Sequence, residues 1–147
     1  MRWRSVPKFR TASDAETIEL GRRLARELPP RGAVLLIGNL GAGKTTLAKG
    51  IVEGLGAAHR DEVSSPTFTL IHEYGAGRAY HIDLYRLDEA RAVESLGLDE
   101  LFERDAMTLI EWGERFPEAM PKERTEIRIR MLPDGGREFD IAEGICR

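Results

Sequence analysis

A glycine-rich segment carries the clearest chemistry in this sequence. Residues 38–45 read Gly-Asn-Leu-Gly-Ala-Gly-Lys-Thr and satisfy G-x-x-x-x-G-K-[ST] at every fixed position. The glycines let successive backbone N–H groups converge on phosphate oxygens. Lys44 brings a charge to the β- and γ-phosphates, and the Thr45 hydroxyl reaches Mg²⁺. The pattern predicts an ATP-binding phosphate loop formed by Asn39, Leu40, Gly41, Ala42, Gly43, Lys44, Thr45 and Thr46.

Two acidic residues are candidates for the metal site that such a loop requires. Asp83 follows the strand-like segment 80–82, and Glu111 follows the more apolar segment 107–110. A carboxylate at the end of a neighbouring strand binds the metal or orients a metal-bound or attacking water. Spacing alone leaves the two roles open, and either residue could instead be a surface acid or a helix cap.

The polar 63–67 loop, Val-Ser-Ser-Pro-Thr, precedes the first of these acids. A hydroxyl in this loop could sense the γ-phosphate, as ordered switch loops do, although the segment could equally be a simple connection. His72 and His81 lie in strand-like segments without a third ligand at metal spacing, so we expect both to be structural.

The elements that would position these residues follow from the hydrophobic pattern. Residues 33–37 and 106–110 are short apolar runs, typical of parallel strands buried on both faces. An amphipathic helix is predicted from Lys44 to Leu55. An earlier helix begins at a capping-box pattern, Ser13 with Glu16, and ends at Pro29-Pro30.

Alternating segments predict the remaining strands. Residues 67–74 and 78–85 suggest one β-hairpin, 126–131 and 137–142 a second, and residues 3–10 an edge strand despite Pro7. Short helical stretches are expected around residues 90–102. The predicted fold class is α/β: a single P-loop NTPase domain over residues 1–147, with a mixed, mainly parallel central sheet flanked by helices, and β-hairpins.

Composition restricts the setting of the protein. The chain has 147 residues, 41% hydrophobic and 32% charged, which is typical of one globular domain. A net charge of −3 gives no overall attraction to nucleic acid. No apolar stretch approaches the roughly 20 residues that cross a bilayer. The basic N-terminus lacks the apolar region of a signal peptide, and the single cysteine, Cys146, permits no internal disulfide. We therefore expect a cytoplasmic protein without a membrane association.

Two classes of P-loop protein fit these observations. A GTPase would carry Asn-Lys-x-Asp and Asp-x-x-Gly, and neither occurs in the sequence. A nucleotide-driven ATPase or switch and a small-molecule kinase both stay open. A kinase would need an acceptor pocket and usually has an arginine-bearing lid; Arg86 and Arg91 are available, but too little chain is left for a large substrate domain.

Four motifs in order resemble a known family. They are Gly38 to Thr46, Ser65-Pro-Thr-Phe-Thr-Leu70, His81-Ile-Asp-Leu-Tyr-Arg-Leu87 and Ile110-Glu-Trp112. Together they are similar to the TsaE (YjeE) family of bacterial ATPases, over about residues 11–137. The resemblance implies a role in forming threonylcarbamoyladenosine at position 37 of ANN-decoding tRNAs, with the TsaB–TsaD complex as partner and tRNA reached through that complex. It further implies ATP hydrolysis that is weak alone, stimulated by the partners, and able to reset the complex between turnovers.

The resemblance also implies residue roles. It places Thr45 and Glu111 on Mg²⁺, makes Asp83 the second acid near the attacking water and Thr67 a switch-like residue, and leaves Lys44 on the phosphates. It brings Trp112 beside the nucleotide. The segment 11–14, with Ser13, would approach the adenine, and Arg137 would close the site from the C-terminal hairpin.

One position departs from the family pattern. Asn39 stands where the family usually has Asp, which removes a charge beside the triphosphate but keeps hydrogen-bonding capacity. We expect this position to tune the loop rather than to perform chemistry. Direct contact with tRNA is a separate open question. The basic start, with Arg2, Trp3, Arg4, Lys8 and Arg10, could reach RNA, but a solvated strand face is the favoured explanation.

Overall fold

A computed structural model of the chain describes residues 2–5 and 8–145, and the side chains of residues 8–144. The expectation for Cys146, and the part of the predicted edge strand at Val6 and Pro7, lie outside the described residues.

One sheet of eight strands runs through the described residues. The strands are β1 (Arg2–Ser5), β2 (Phe9–Thr11), β3 (Gly32–Ile37), β4 (Ile71–Tyr74), β5 (Ala79–Asp83), β6 (Met107–Glu111), β7 (Glu123–Met131) and β8 (Arg137–Ile145). Their order is β1-β8-β7-β3-β6-β5-β4, and β2 also pairs with β8. The central strands β7, β3, β6 and β5 are parallel, while β4, β8, β1 and β2 pair antiparallel at the two sides. The expected mixed sheet, parallel in its core, is confirmed.

Helices cover both faces of this sheet. They are α1 (Asp14–Glu27), α2 (Lys44–Gly54), α3 (Ala90–Glu94) and α4 (Leu98–Phe102). On β3, Val34 and Leu36 pack with α1 and α2, whereas Ala33 and Leu35 pack on the opposite side with α3 and α4. Because both faces of β3 are buried, the strand has no polar face, which explains its unbroken apolar run. No helix in the described part of the chain combines the length and the apolar character that a bilayer crossing requires.

The first helix begins where the capping pattern predicts. The Ser13 hydroxyl accepts a hydrogen bond from the Glu16 amide at 3.1 Å, and the Glu16 carboxylate accepts from the Ala12 amide at 3.0 Å. The reciprocal bond therefore falls one residue earlier than in a standard capping box. The helix ends with Leu28 as its C-cap, immediately before Pro29.

The first predicted hairpin is shorter than its sequence suggests. The expectation that residues 67–70 form a strand is wrong, because Leu70 adopts φ 69° and its amide donates to the Pro66 carbonyl at 2.6 Å, which makes a turn. Strand β5 likewise ends at Asp83, where the carboxylate accepts from the Tyr85 amide at 2.9 Å. The C-terminal hairpin is confirmed, and both of its strands are longer than predicted. β7 begins at Glu123 instead of residue 126, and β8 ends at Ile145 instead of residue 142.

Candidate functional site

The carboxyl ends of three parallel strands meet beside the phosphate loop. Glu111, the last residue of β6, lies level with Asp83 at the end of β5 and with Leu36 near the end of β3. The glycine-rich segment follows β3 directly and leads into α2 at Lys44. Ligands of open α/β sheets bind at this carboxyl edge, so the topology itself brings the two candidate acids to the loop.

Two glycines of the loop hold positions that a side chain would disturb. Gly43 has φ 107°, a left-handed conformation, and a Cβ there would lie 2.9 Å from Nε of Arg137. A Cβ on Gly38 would lie 2.8 Å from the carbonyl oxygen of Ile129 on β7. The loop therefore needs glycine both to turn and to approach its neighbours.

Lys44 is buried at the floor of the site. Its Nζ donates to the Gly38 carbonyl at 2.8 Å and lies 3.4 Å from the centre of the Trp112 ring. Burial lowers the pKa of Lys44, and the nearby carboxylates of Glu111, Glu114 and Asp83 oppose that shift. Three carboxylates therefore lie near the Lys44 ammonium group. The N-terminus of α2 adds the positive end of its helix dipole.

Glu111 joins the loop to the sheet. The Thr45 hydroxyl donates to its Oε2 at 3.0 Å, with Oε1 at 3.4 Å, and Nε2 of His81 lies 2.5 Å from the same Oε2. A hydroxyl and a carboxylate side by side are the hard oxygen ligands that Mg²⁺ takes from a protein when substrate phosphates and waters supply the rest. Among the described residues no cluster of three or more His, Cys, Asp or Glu side chains could hold a metal by itself. The residues present therefore fit Mg²⁺.

Asp83 has a separate set of partners. Its Oδ2 accepts from the hydroxyls of Ser65 at 3.0 Å and Thr67 at 3.2 Å, and these two hydroxyls lie 2.8 Å apart. Its Oδ1 accepts from the Tyr85 amide. Oδ2 thus fixes the 63–67 loop against β5, and Oδ1 is engaged by the backbone that follows β5.

The margin of the site is formed by aromatic side chains and by one ion pair. Trp112 has φ 66°, and its ring lies 5.1 Å from that of Tyr85. Arg137, from the start of β8, donates to Asp14 at the start of α1 at 2.5 Å. This ion pair joins the C-terminal hairpin to the first helix beside Gly43.

Most of the predicted site residues line one open pocket of about 230 Å³. Those that do are Leu40, Gly41, Gly43, Lys44, Thr45, Thr46, Thr67, Asp83, Glu111, Trp112 and Arg137. Three predicted residues do not. Ser13 caps α1, the exposed Asn39 uses its carbonyl to accept from the Ala42 amide, and Ala42 is buried in the core. The nucleotide-binding roles assigned to all of these residues stay predictions.

Sequence reasoning gave no site role to Tyr85 or His81, and it included Ser65 only as one of the hydroxyl-bearing residues of the 63–67 loop. Ser65 and Tyr85 line the pocket. His81 contacts Glu111 from the core side, outside the pocket lining. The signal for His81 was available, because residues two apart on a strand share a face and His81 precedes Asp83 by two. Its expected structural role stays a prediction, to which the structure adds a hydrogen bond with a site carboxylate.

The fold and the site together define the class of the protein: a nucleotide-binding P-loop protein whose phosphate loop, hydroxyl and two strand-end carboxylates converge on one pocket. Within that class, the sequence profile described as "Threonylcarbamoyl adenosine biosynthesis protein TsaE" matches residues 11–139. The chain belongs to the TsaE family.

Similar proteins support this assignment. The tRNA threonylcarbamoyladenosine biosynthesis protein TsaE of Bacillus subtilis is 42% identical over 134 residues, covering 90% of this chain and 82% of the relative. The protein of the same name from Treponema pallidum is 39% identical, covering 88% and 96%. The crystal structure of Bacillus subtilis YdiB superposes with a TM-score of 0.77 at 34% identity, covering 97% of this chain and 88% of that one. The resemblance predicted from four motifs is confirmed.

Proposed function

We propose that this chain is a Mg²⁺-dependent ATPase that supports threonylcarbamoylation of adenosine 37 in ANN-decoding tRNAs. The observation that carries the proposal is the convergence of Lys44, Thr45, Glu111 and Asp83 at one sheet edge, in a member of a family described by threonylcarbamoyl adenosine biosynthesis. The whole chain, residues 1–147, acts in this proposal as a single domain in the cytoplasm.

Each residue has a distinct task in the proposed hydrolysis. The loop amides and Lys44 bind the phosphates of ATP, and Thr45 with Glu111 holds Mg²⁺. The cation, when bound, neutralises charge on the phosphate oxygens. Asp83 orients the attacking water or accepts its proton, and Thr67, hydrogen-bonded to Asp83, reports the state of the phosphate to the 63–67 loop. Trp112 packs beside the nucleotide, and Arg137 closes the site, with Ser13 on the adenine side.

The arginines distinguish hydrolysis from the rival kinase function. Arg86, a candidate lid residue, donates to the Phe68 carbonyl at 3.2 Å and stacks on the Phe68 ring instead of lining the pocket. Arg137, which lines the pocket, is paired with Asp14. An arginine-bearing acceptor site for a small molecule therefore has little support, and transfer to water is the better reading.

Exposed apolar side chains around the pocket support a protein partner. Leu40 is 70% exposed, Phe68 82% and Tyr85 44%, and Leu40 and Tyr85 belong to the pocket lining. Exposed apolar groups at the rim of a pocket, here Leu40 and Tyr85, are typical of an interaction surface. We assign this rim to the TsaB–TsaD complex, whose contact would stimulate the weak basal hydrolysis and so reset the complex between turnovers.

The charges near the N-terminus support indirect contact with tRNA. Lys8 lies 3.7 Å from Asp140 and 3.9 Å from Glu138, and Arg10 lies 3.6 Å from Glu138. Arg130 also pairs with Glu138 at 2.6 Å, so the two acids on β8 offset all but about one of the positive charges that share them, and this face offers tRNA only a small net attraction. The side chains of Arg2, Trp3 and Arg4 lie outside the described residues.

Reconstituted threonylcarbamoyl transfer tests the proposal. Purified TsaB–TsaD, tRNA, threonylcarbamoyl-adenylate, ATP and Mg²⁺ are incubated with no addition, with this chain, or with its Lys44→Ala variant. We expect sustained turnover with the natural chain only, because the variant lacks the loop's ammonium group. Equal turnover in all three mixtures would refute the proposal.

Labelled ATP separates the competing functions. With γ-labelled ATP, we expect free labelled phosphate, released faster in the presence of TsaB–TsaD. Label in a small acceptor would instead establish the kinase function. Nucleotide binding without stimulated release would leave a regulatory module with no physiological turnover, contrary to the proposal.

A further inference from the structure

His81 is a fully buried histidine that the proposed reaction does not use. It lies in the middle of β5, with no exposed surface, and its Nε2 is 2.5 Å from Oε2 of Glu111. It is absent from the pocket lining, so it touches the carboxylate from the core side. Among the described residues, its Nδ1 has no hydrogen-bond partner.

The unpartnered nitrogen determines which tautomer the ring adopts. A neutral imidazole carries its proton on one nitrogen, and the other nitrogen is an acceptor. A proton on Nδ1 would be a buried donor without an acceptor, whereas a proton on Nε2 is donated to Glu111. The surroundings therefore favour the Nε2–H tautomer, with Glu111 as its acceptor.

A purely structural role explains His81 poorly. An apolar side chain would fill this core position without burying a polar atom that lacks a partner. His72, directly opposite His81 on β4, provides a comparison: its Nε2 lies 2.7 Å from the Thr69 hydroxyl and its Nδ1 3.2 Å from the Tyr74 hydroxyl. His72 thus has two hydrogen-bond partners outside the site, whereas His81 hydrogen-bonds to a carboxylate of the site.

We propose that His81 is a positioning residue that fixes the Glu111 carboxylate for cation binding. Its hydrogen bond holds Oε2 from the core side, while the one hydrogen bond that Oε1 makes with the described residues is the longer 3.4 Å contact from Thr45. Groups behind a metal ligand set its orientation and are worth about 10- to 100-fold in metal affinity. This inference rests on the proposed function, because it takes Glu111 as a Mg²⁺ ligand.

Two amide variants test the role of the donor position. The amide nitrogen of glutamine in His81→Gln falls near the position of Nε2, whereas that of asparagine in His81→Asn falls near Nδ1 and does not reach Glu111. The readout is the dissociation constant of ADP in EDTA divided by its dissociation constant in Mg²⁺, both measured by calorimetry. We expect His81→Asn to lower this ratio by about 10-fold or more with the affinity in EDTA unchanged. His81→Gln and the control His72→Gln should retain most of the ratio measured for the natural protein.

The outcomes separate this inference from the function on which it rests. A folded His81→Asn variant with the natural ratio, or equal losses in both amide variants, would overturn the positioning role and leave the proposed function intact. Natural protein that binds no ADP would refute the proposed function itself.

The tautomer of the natural protein gives a second test that requires no folded variant of His81. With three histidines in the chain, long-range ¹H–¹⁵N spectra resolve each ring, and a spectrum of His72→Gln assists the assignment. We expect the Nε2–H form for His81, and an Nδ1–H form would overturn the inference.

Discussion

Asp83→Asn tests the chemistry of the site with the smallest structural change. In the natural protein the carboxylate accepts three hydrogen bonds, from Ser65, Thr67 and the Tyr85 amide. The amide oxygen of asparagine can still accept from the Tyr85 amide, and its nitrogen can donate to the two hydroxyls, which are able to act as acceptors. The substitution removes the charge and the proton-accepting capacity while the 63–67 loop keeps its contacts.

The structure sets different magnitudes for stability and for rate. Hydrogen bonds to a charged group contribute about 1.5–3 kcal/mol and neutral ones about 0.5–1.5 kcal/mol, so three bonds weakened by about 1–1.5 kcal/mol each cost about 3–4.5 kcal/mol. A domain stable by about 5–15 kcal/mol tolerates that loss and stays folded. A general base contributes about 100- to 10,000-fold in rate, which corresponds to about 3–5 kcal/mol of the barrier. We therefore expect a folded protein with normal ATP affinity and a rate at least about 100-fold lower.

The assay combines phosphate release at saturating ATP in the presence of TsaB–TsaD, nucleotide affinity and urea denaturation. Ser65→Ala is the matched control, because it removes one of the hydroxyls and leaves the carboxylate. Hydrolysis by Asp83→Asn within about 10-fold of the natural rate would show that Asp83 is not the proton-accepting acid. Equal losses in Asp83→Asn and Ser65→Ala would attribute the effect to the loop instead of the charge.

Three further predictions address the metal, the packing and the dependence on pH. Glu111→Ala should still bind nucleotide but lose Mg²⁺-dependent hydrolysis by about 100-fold or more, since a positioned metal supplies several kcal/mol; retained hydrolysis would move the metal role to Asp83. Gly50→Ala places a Cβ 2.1 Å from the Ile18 carbonyl oxygen, so urea denaturation should show a loss of about 1–3 kcal/mol despite the better helix propensity of alanine. The side-chain hydrogen bond from Arg60, together with that from its backbone amide, lowers the pKa of Glu53 from 4.5 to about 2. Folded Glu53 binds its proton less readily than unfolded Glu53, so its stabilisation is complete above pH 4.5 and is lost as the pH falls toward 2. Denaturation at a series of pH values should show that Glu53→Gln loses less stability than the natural protein as the pH falls from 4.5 toward 2. Parallel stability curves for the two proteins would contradict the lowered pKa of Glu53.

The sequence predicts best those elements whose residues face a uniform environment. The runs at residues 33–37 and 106–110 are buried on both faces, so their strands appear directly in the sequence. The phosphate loop is equally local, since its residues are contiguous. The order of strands is not local: nothing in residues 123–131 indicates that β7 lies parallel to β3 on the side opposite β6. That arrangement depends on contacts between segments far apart in the chain.

The segment 67–70 shows why local propensity fails at the site. Its residues favour a strand, yet the Thr67 hydroxyl binds Asp83, sixteen positions away, and the chain turns at Leu70 to allow it. A long-range polar contact overrides a modest backbone preference. The strand period places His81 on the same face as Asp83, but the sequence does not indicate its partner Glu111, which is thirty residues away.

The two carboxylates of the site are adjacent on the sheet but are held by different parts of the chain. Glu111 is tied to α2 through Thr45 and to the core through His81, both of which are buried or partly buried. Asp83 is tied to the 63–67 loop through the hydroxyl groups of the exposed Ser65 and the half-buried Thr67. A displacement of the loop would therefore change the hydrogen bonding of Asp83 and leave that of Glu111 intact. In the proposed function, a partner that contacts the loop can thus regulate the hydrolytic step without altering metal binding, and stimulation by TsaB–TsaD should raise the rate more than the affinity for ATP.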